Sequence, residues 1–370
     1  MIPNGSFAWK LALTLTLLVL VASACSSSST EEADAPFSMG IEGREYQPYE
    51  NTLAVSDRMR SFTLPLNNPG VVPAHAASHM EKDDLIAGVV VNGQARAYPR
   101  WMLVTYHVVN DTINDAPIMV AHCEICSGTS AFRPVVDGLG GRSLIFDTYG
   151  PAKGTFSVYD YQTHTVWSPF TGRTLEGQLH PSRMERIPVL VQTWATWMER
   201  FPDTEVVFGS RLFIEHSEHG RGEDNEIGAE YIPQGFANVA NMEDVRLARS
   251  ALVFGITNLR GDKSIAFPLD WLEEKQGVVK HSFDDEYYLL EKLGPFAVAA
   301  FRLEEDQADK TYSISSLSPF RLADDEGNSW DEFGKASEEE TGERDLLIAD
   351  GYLTEWYEWV SSYPASEIAR

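Results

Sequence analysis

The chain has 370 residues and a formal charge of −26, from 55 acidic against 29 basic side chains. That balance excludes nucleic acid and the anionic face of a membrane as electrostatic partners, because both repel a strongly negative surface. The length suffices for one large or two modest domains.

The first ten residues carry one positive charge, at Lys10, and a dozen apolar or small residues follow in "LALTLTLLVLVA". "ASAC" then ends at Cys25. This order reads as a signal peptide over residues 1–24, because the apolar run is too short to cross a bilayer. A cysteine directly after small residues resembles a bacterial lipobox, in which the cysteine is lipidated and becomes the mature N-terminus. The expectation is a cell-envelope lipoprotein outside the cytoplasm, held to the membrane through lipid on Cys25. Ser26 stands where aspartate resembles an inner-membrane retention signal, which favours the outer membrane or cell surface. The alternative is a secreted protein with an ordinary free thiol at Cys25. Residues 25–59, with "SSSSTEEADA", form the lipidated cysteine and a polar tether with no apolar anchors. Lipidation leaves two thiols, Cys123 and Cys126, in an oxidising compartment.

Further along, "LIAGVVVNGQARAYP" places apolar residues on both sides of Asn92-Gly93, a two-residue hairpin signal. "PRWMLVTYHVV" opens a helical turn at its proline. "APIMVAHC", "TSAFRPVV", "RSLIFDTY", "TFSVYDY" and "TVWSPF" are short strands separated by turn residues. "VQTWATWMERF" is a helix with Trp194 and Trp197 on one face, which reads as core anchoring. A polar, glycine-rich stretch over 211–250 predicts an exposed connection. "EHSEHG", with His216 and His219, belongs to it as a solvated loop.

The same landmarks then recur. "LVFGITNLRGDKSIAFP" repeats the hairpin and its Ala-aromatic-Pro ending. Ala131-Phe132-Arg133 matches Ala300-Phe301-Arg302, and Trp194, Trp197 and Pro202 match Trp356, Trp359 and Pro364. Order and spacing predict two tandem related modules, 60–210 and 251–370, joined by a linker over 211–250. The fold class expected is α+β and β-rich, with short antiparallel strands and a few short helices in each module. The second copy lacks the polar chemistry of the first. Lys292 stands for Cys123, Pro295 for Cys126, Glu291 for His122, and Gln276 or Gly277 for His107. A framework that persists without these groups does not need them for folding.

"GVVVNGQARAYP", "YHVVNDTINDAPIMVAHCEICSGTSAF" and "VYDYQTHTVWSPFTGRTLEG" together resemble the bacterial and archaeal family called domain of unknown function 3179. "LPLNNPGVV", from Leu64, resembles that family's N-terminal lead. The resemblance covers roughly 60–210 well and 251–369 as a degenerate copy. It carries over His107, Asn110, Asp111, Cys123, Cys126, Tyr159, Asp160 and Trp167, and it implies no firm activity. Val158 departs from it, standing where methionine is frequent, so a soft ligand at that position is missing.

Two thiolates three residues apart can grip a soft ion, and copper or zinc fits that donor set. Cys123, Cys126 and His107 are the expected metal ligands. Strand alternation turns His122 to the face opposite Cys123, so His122 becomes a ligand only if a turn begins there. Asn110, Asp111, Tyr159 and Asp160 are candidates for supporting positions around the site. The rival chemistry is thiol–disulfide exchange by the Cys-x-x-Cys pair, although "SGTSAF" reads as a turn into a strand where a redox motif normally opens a helix. A third reading is a structural disulfide, and a fourth is a non-catalytic surface scaffold. No phosphate-binding glycine loop occurs, so no nucleotide cofactor is expected.

Overall fold

The hairpin signal at Asn92-Gly93 is met in the computed structural model, which describes residues 65–208, 232–317, 319–337 and 344–370. The signal peptide, Cys25, the tether, His216 and His219 lie outside these residues. Strands β1 (Leu85–Val91) and β2 (Gln94–Pro99) pair across the turn. Asn92 and Gly93 take φ of 50° and 79°, as a two-residue hairpin turn requires. Pro99 caps helix α1 (Arg100–Tyr106), where a missing N–H costs nothing. Strands β3 (Val108–Ile113), β4 (Ala116–Cys123) and β5 (Gly128–Arg133) follow as an antiparallel meander. Next come β6 (Phe146–Ala152), β7 (Thr155–Asp160) and β8 (Val166–Trp167), which pair in that order. Strand β9 (Glu185–Ile187) adds to β5, and β10 (Leu190–Thr193) adds to β1. Helix α2 (Trp194–Arg200) leads to β11 (Glu205–Val207), which lies parallel to β2.

The later residues trace a matching path. Strands β12 (Leu252–Thr257) and β13 (Ser264–Pro268) form a hairpin that ends at helix α3 (Leu269–Lys275). A meander of β14 (Val279–Phe283), β15 (Glu286–Gly294) and β16 (Ala297–Leu303) follows. Strands β17 (Tyr312–Leu317), β18 (Phe320–Asp324) and β19 (Ser329–Trp330) make the third sheet. Strand β20 (Leu347–Ile348) adds to β16, and β21 (Gly351–Glu355) adds to β12. Helix α4 (Trp356–Ser362) leads to β22 (Glu367–Ile368), parallel to β13. The sheet order β10-β1-β2-β11 thus has the same order and directions as β21-β12-β13-β22.

Matched packing accompanies the matched order. Trp197 on α2 lies directly over Gly88 in β1, and Trp359 on α4 lies over Gly255 in β12. Their indole N–H groups donate to Thr204 at 2.9 Å and Ser366 at 2.8 Å, each seven residues on. Trp197 also tilts against Phe201, and Trp359 against Tyr363. The paired tryptophans are core anchors, as their helical spacing predicts.

The halves do not bury separate cores alone. One apolar cluster joins Val108, Cys123, Cys126 and Trp167 to Val253, Tyr352, Trp356 and Trp359. Arg186 adds a polar joint, donating to Asp350 at 3.0 Å while its guanidinium lies over the Phe132 and Tyr352 rings. The connection is less exposed than its composition predicts. Phe236, in a short helix over Gln234–Ala237, is buried, and Met242 and Leu247 pack against the shared cluster. A few apolar side chains spaced along a polar segment are enough to pin it down.

Gly88 and Gly255 have ordinary negative φ, so only the indole above each forbids a side chain. Gly88→Ala and Gly255→Ala are each expected to lower unfolding free energy by about 2–3 kcal/mol through overpacking. Urea melts of the two variants measure this directly, and an undisturbed midpoint in either would contradict the packing described.

Candidate functional site

Cys123 closes β4, and Cys126 lies in the turn that reverses the chain into β5. Ser127 takes a positive φ of 54° in that turn. Gly128 follows because the Phe170 ring packs where a side chain would begin. Both cysteines are free thiols, with 2% and 0% of their surface exposed. The Cys123 sulfur lies near enough to act on the Cys126 thiol. Cys126 also donates to the Thr155 hydroxyl at 3.6 Å, from the hairpin that starts β7. Phe156, Phe170, Trp356 and Trp359 belong to the apolar cluster that encloses the pair.

The second half roofs this turn. The Cys126 carbonyl accepts from the Glu355 N–H at 3.0 Å and from the Thr354 hydroxyl at 3.0 Å. Helix α4 begins there, and Trp356 through Ser361 are all buried. Glu358 has no exposed surface. The Tyr352 hydroxyl donates to its carboxylate at 3.0 Å, and the Ser362 hydroxyl does so at 3.0 Å. Burial nevertheless pushes Glu358 up to about 7. Burial also pushes the Cys126 thiol well above its usual range, reinforced by the Cys123 sulfur and the Glu358 charge. Cys126 therefore sits as a thiol in a site that disfavours negative charge.

The expected three-donor metal site is not assembled. Among the described residues, no three His, Cys, Asp or Glu side chains come together to hold an ion. His107 ends α1 with a positive φ of 56°, and its ring stacks on Phe156. Its Nδ1 faces Glu124, between the two cysteines, at 3.5 Å. It thus reaches the rim of the turn through a carboxylate. His122 lies on the strand face opposite Cys123, as alternation predicts. Its Nδ1 meets the Gly128 carbonyl and the Thr129 hydroxyl, each at 2.9 Å, and its Nε2 accepts from Arg100 at 3.4 Å. Burial, then the Arg100 charge, holds His122 neutral and well below its usual range.

The proposed supporting residues serve the framework. Asn110 donates to the Phe146 carbonyl and accepts from the Phe146 N–H, which clips β3 to β6. Asp111 accepts from Arg96 at 2.8 Å and Tyr98 at 2.7 Å. Asp160 accepts from the Trp167 indole at 2.9 Å and the Thr163 hydroxyl at 2.8 Å, closing the turn after β7. Tyr159 is half-buried, edge-on to Tyr149 and Tyr161. Val158, at the position where the resembling family often has methionine, packs in the same cluster as the thiols and brings no sulfur.

The residues that sequence reasoning missed come from the second half: Thr354, Tyr357 and Glu358. A signal was present. Between its paired tryptophans α2 carries Ala195-Thr196, where α4 carries Tyr357-Glu358. Thr196 is exposed, whereas Tyr357 and Glu358 are fully buried.

The raised Glu358 carboxyl fixes a pH dependence. Between about 4.5 and 7 the folded chain holds a proton that the unfolded chain has lost, so stability falls as pH rises through that window. Glu358→Gln should flatten this slope and raise stability at pH 8 by up to about 3 kcal/mol. Urea melts at pH 5 and pH 8 check it. Glu291, which burial also pushes up to about 7, is common to both proteins and cancels in the comparison.

No curated protein and no solved structure matches the chain. A family model does match, over residues 65–366, and so spans both halves. The chain belongs to the family described as protein of unknown function (DUF3179).

Proposed function

We propose that the chain is a dithiol protein of the cell envelope, in which Cys123 and Cys126 exchange with the disulfide of a partner. The observation that carries this reading is the pair itself: two free, buried thiols on one hairpin turn, with His122 hydrogen-bonded on the opposite strand face and His107 facing Glu124. Soft-metal binding through Cys123, Cys126 and His107 fits the donor types less well, because the third donor faces Glu124.

The chemistry balances within the site. Cys123 borders half-exposed Glu124, so opening of the turn uncovers its sulfur first. Cys123 gives its proton to solvent, and the thiolate attacks one sulfur of the partner disulfide. That S–S bond breaks, the released partner sulfur takes up a proton, and a mixed disulfide forms on Cys123. Cys126 loses its proton and attacks the Cys123 sulfur, and the second partner sulfur leaves and is protonated. The partner gains two electrons, and Cys123 and Cys126 become a disulfide. Glu358, whose carboxyl is poised near neutrality and whose charge acts on Cys126, is the proton acceptor for that second step.

The two halves are read as copies of one module, supported by their shared sheet order and by the paired Trp–Gly contacts. In the second, Lys292 forms an ion pair with Glu273 at 2.6 Å where the first has a cysteine. The lipid anchor on Cys25 and placement at the outer membrane or cell surface complete the proposal. Cys25→Ser should abolish incorporation of a fatty-acid label and release the chain from membranes; an unlabelled wild type would remove the anchor.

The redox reading is tested on folded protein with glutathione disulfide, by acid quench and peptide mapping, which separates Cys123 and Cys126 from Cys25. Expected are a Cys123–Cys126 disulfide that dithiothreitol reverses, and a mixed disulfide trapped at Cys123 in Cys126→Ser. Thiols inert in the folded state would overturn the reading. So would one zinc or copper per chain in protein purified without chelators, lost on Cys123→Ser.

A further inference from the structure

Tyr357, on α4, packs in the same apolar cluster as the two cysteines, and its hydroxyl is left without a partner. The residue is fully buried, and Oη has neither donor nor acceptor. Its ring edge packs beside Gly154, in the hairpin that presents Thr155 to the Cys126 sulfur. A buried hydroxyl without a hydrogen bond costs roughly 1–3 kcal/mol, and phenylalanine would fill the same space without that penalty. Such a group calls for a reason beyond packing. The matching position in α2 is Ala195, so the module itself does not demand a tyrosine here.

We infer that Tyr357 is a positioning residue for the dithiol, its hydroxyl held ready to donate to the cysteine sulfur when that sulfur becomes a thiolate. This rests on the dithiol reading proposed above. A thiol is a weak acceptor, whereas a thiolate carries a full charge and accepts strongly. The hydroxyl is thus unsatisfied in the resting dithiol and satisfied in the reacting state, which is where stabilisation accelerates a reaction. After burial, the charges acting most strongly on Tyr357 are Cys126 and then Cys123, and together these hold its own proton far more firmly than usual. It therefore donates a hydrogen bond without giving up the proton. Glu355 and Glu358, on its own segment, also act on it, and His107 and Glu124 face each other at the cysteine turn. Both carboxylates oppose a thiolate, whereas neutral hydroxyls such as those of Tyr357 and Thr155 can offset its charge.

Tyr357→Phe removes one oxygen and leaves the packing. In the full chain, the rate of Cys123–Cys126 disulfide formation with glutathione disulfide should fall about tenfold at pH 7, as expected for losing one hydrogen bond to a charged group. The pH profile of that rate should move about one unit higher. Thermal stability should be unchanged or raised, since no hydrogen bond is lost in the resting state. A rate and profile equal to wild type would overturn the role of Tyr357 while leaving the dithiol reading intact. A wild type that forms no disulfide would overturn both. A variant that melts earlier, with an unshifted profile, would show that the hydroxyl is structural and would also overturn the inference.

Discussion

Two hydrogen bonds to the carbonyl of Cys126 hold the candidate site in place, and both come from the other half of the chain. The turn between β4 and β5 has few other fixed points. Its outer residues, Glu124 and Ile125, are half-exposed, and Ser127 occupies a backbone conformation that only its surroundings stabilise. Thr354 and Glu355 clamp the carbonyl between the cysteines and β5, and α4 then packs in the apolar cluster that holds both sulfurs. The thiols of the first half are therefore enclosed by a helix of the second. Separating the halves would expose not only the apolar cluster they share but also the polar groups that α4 buries with them.

The electrostatics of the enclosure follow from that burial. An interior of this kind penalises charge, and three fully buried groups there are displaced toward their neutral forms. Glu358 rises toward neutrality, His122 is held as neutral imidazole, and the Cys126 thiol is pushed up. At the joint between halves, charges are paired. Arg186 and Arg183 meet Asp350, and Arg200 meets Glu332 through two nitrogens. Removing one partner from such a buried pair strands the other, so these joints favour one arrangement of the halves over slipped alternatives.

Local features were legible because they depend on neighbours in sequence. The Asn-Gly turn, the span of β4, and the opposite facing of His122 and Cys123 all follow from backbone geometry and the two-residue period of a strand. The tryptophan face of α2 and α4 follows from helical spacing in the same way. Expectations failed where a side chain's direction depends on a contact between distant segments. His107 is the expected third donor because strand alternation turns His122 away from Cys123. A left-handed backbone at the end of α1 and the stacking of its ring on Phe156 place its Nδ1 opposite Glu124. Asn110 and Asp111 sit on successive positions of β3, so they cannot face one site together, and each instead joins strands. Sequence patterning identifies an apolar face, but it does not say that α4 is buried on every side.

That last property explains why a half without thiols still bears on their chemistry. Helix α2 keeps Ala195 and Thr196 between its tryptophans and turns that side outward, where small and polar residues suffice. Helix α4 has the same anchors, but its corresponding side meets the cysteine turn, and there the residues are Tyr357 and Glu358. On the reading of the halves as copies, loss of the cysteines in the second accompanied acquisition of polar groups that serve the cysteines of the first. A copy kept only for support would be expected to present apolar residues to the shared cluster, since a buried carboxylate and an unpartnered hydroxyl both cost stability. Retaining them at the contact with the thiols makes sense if the site spans both halves, with sulfur supplied by one and proton handling by the other.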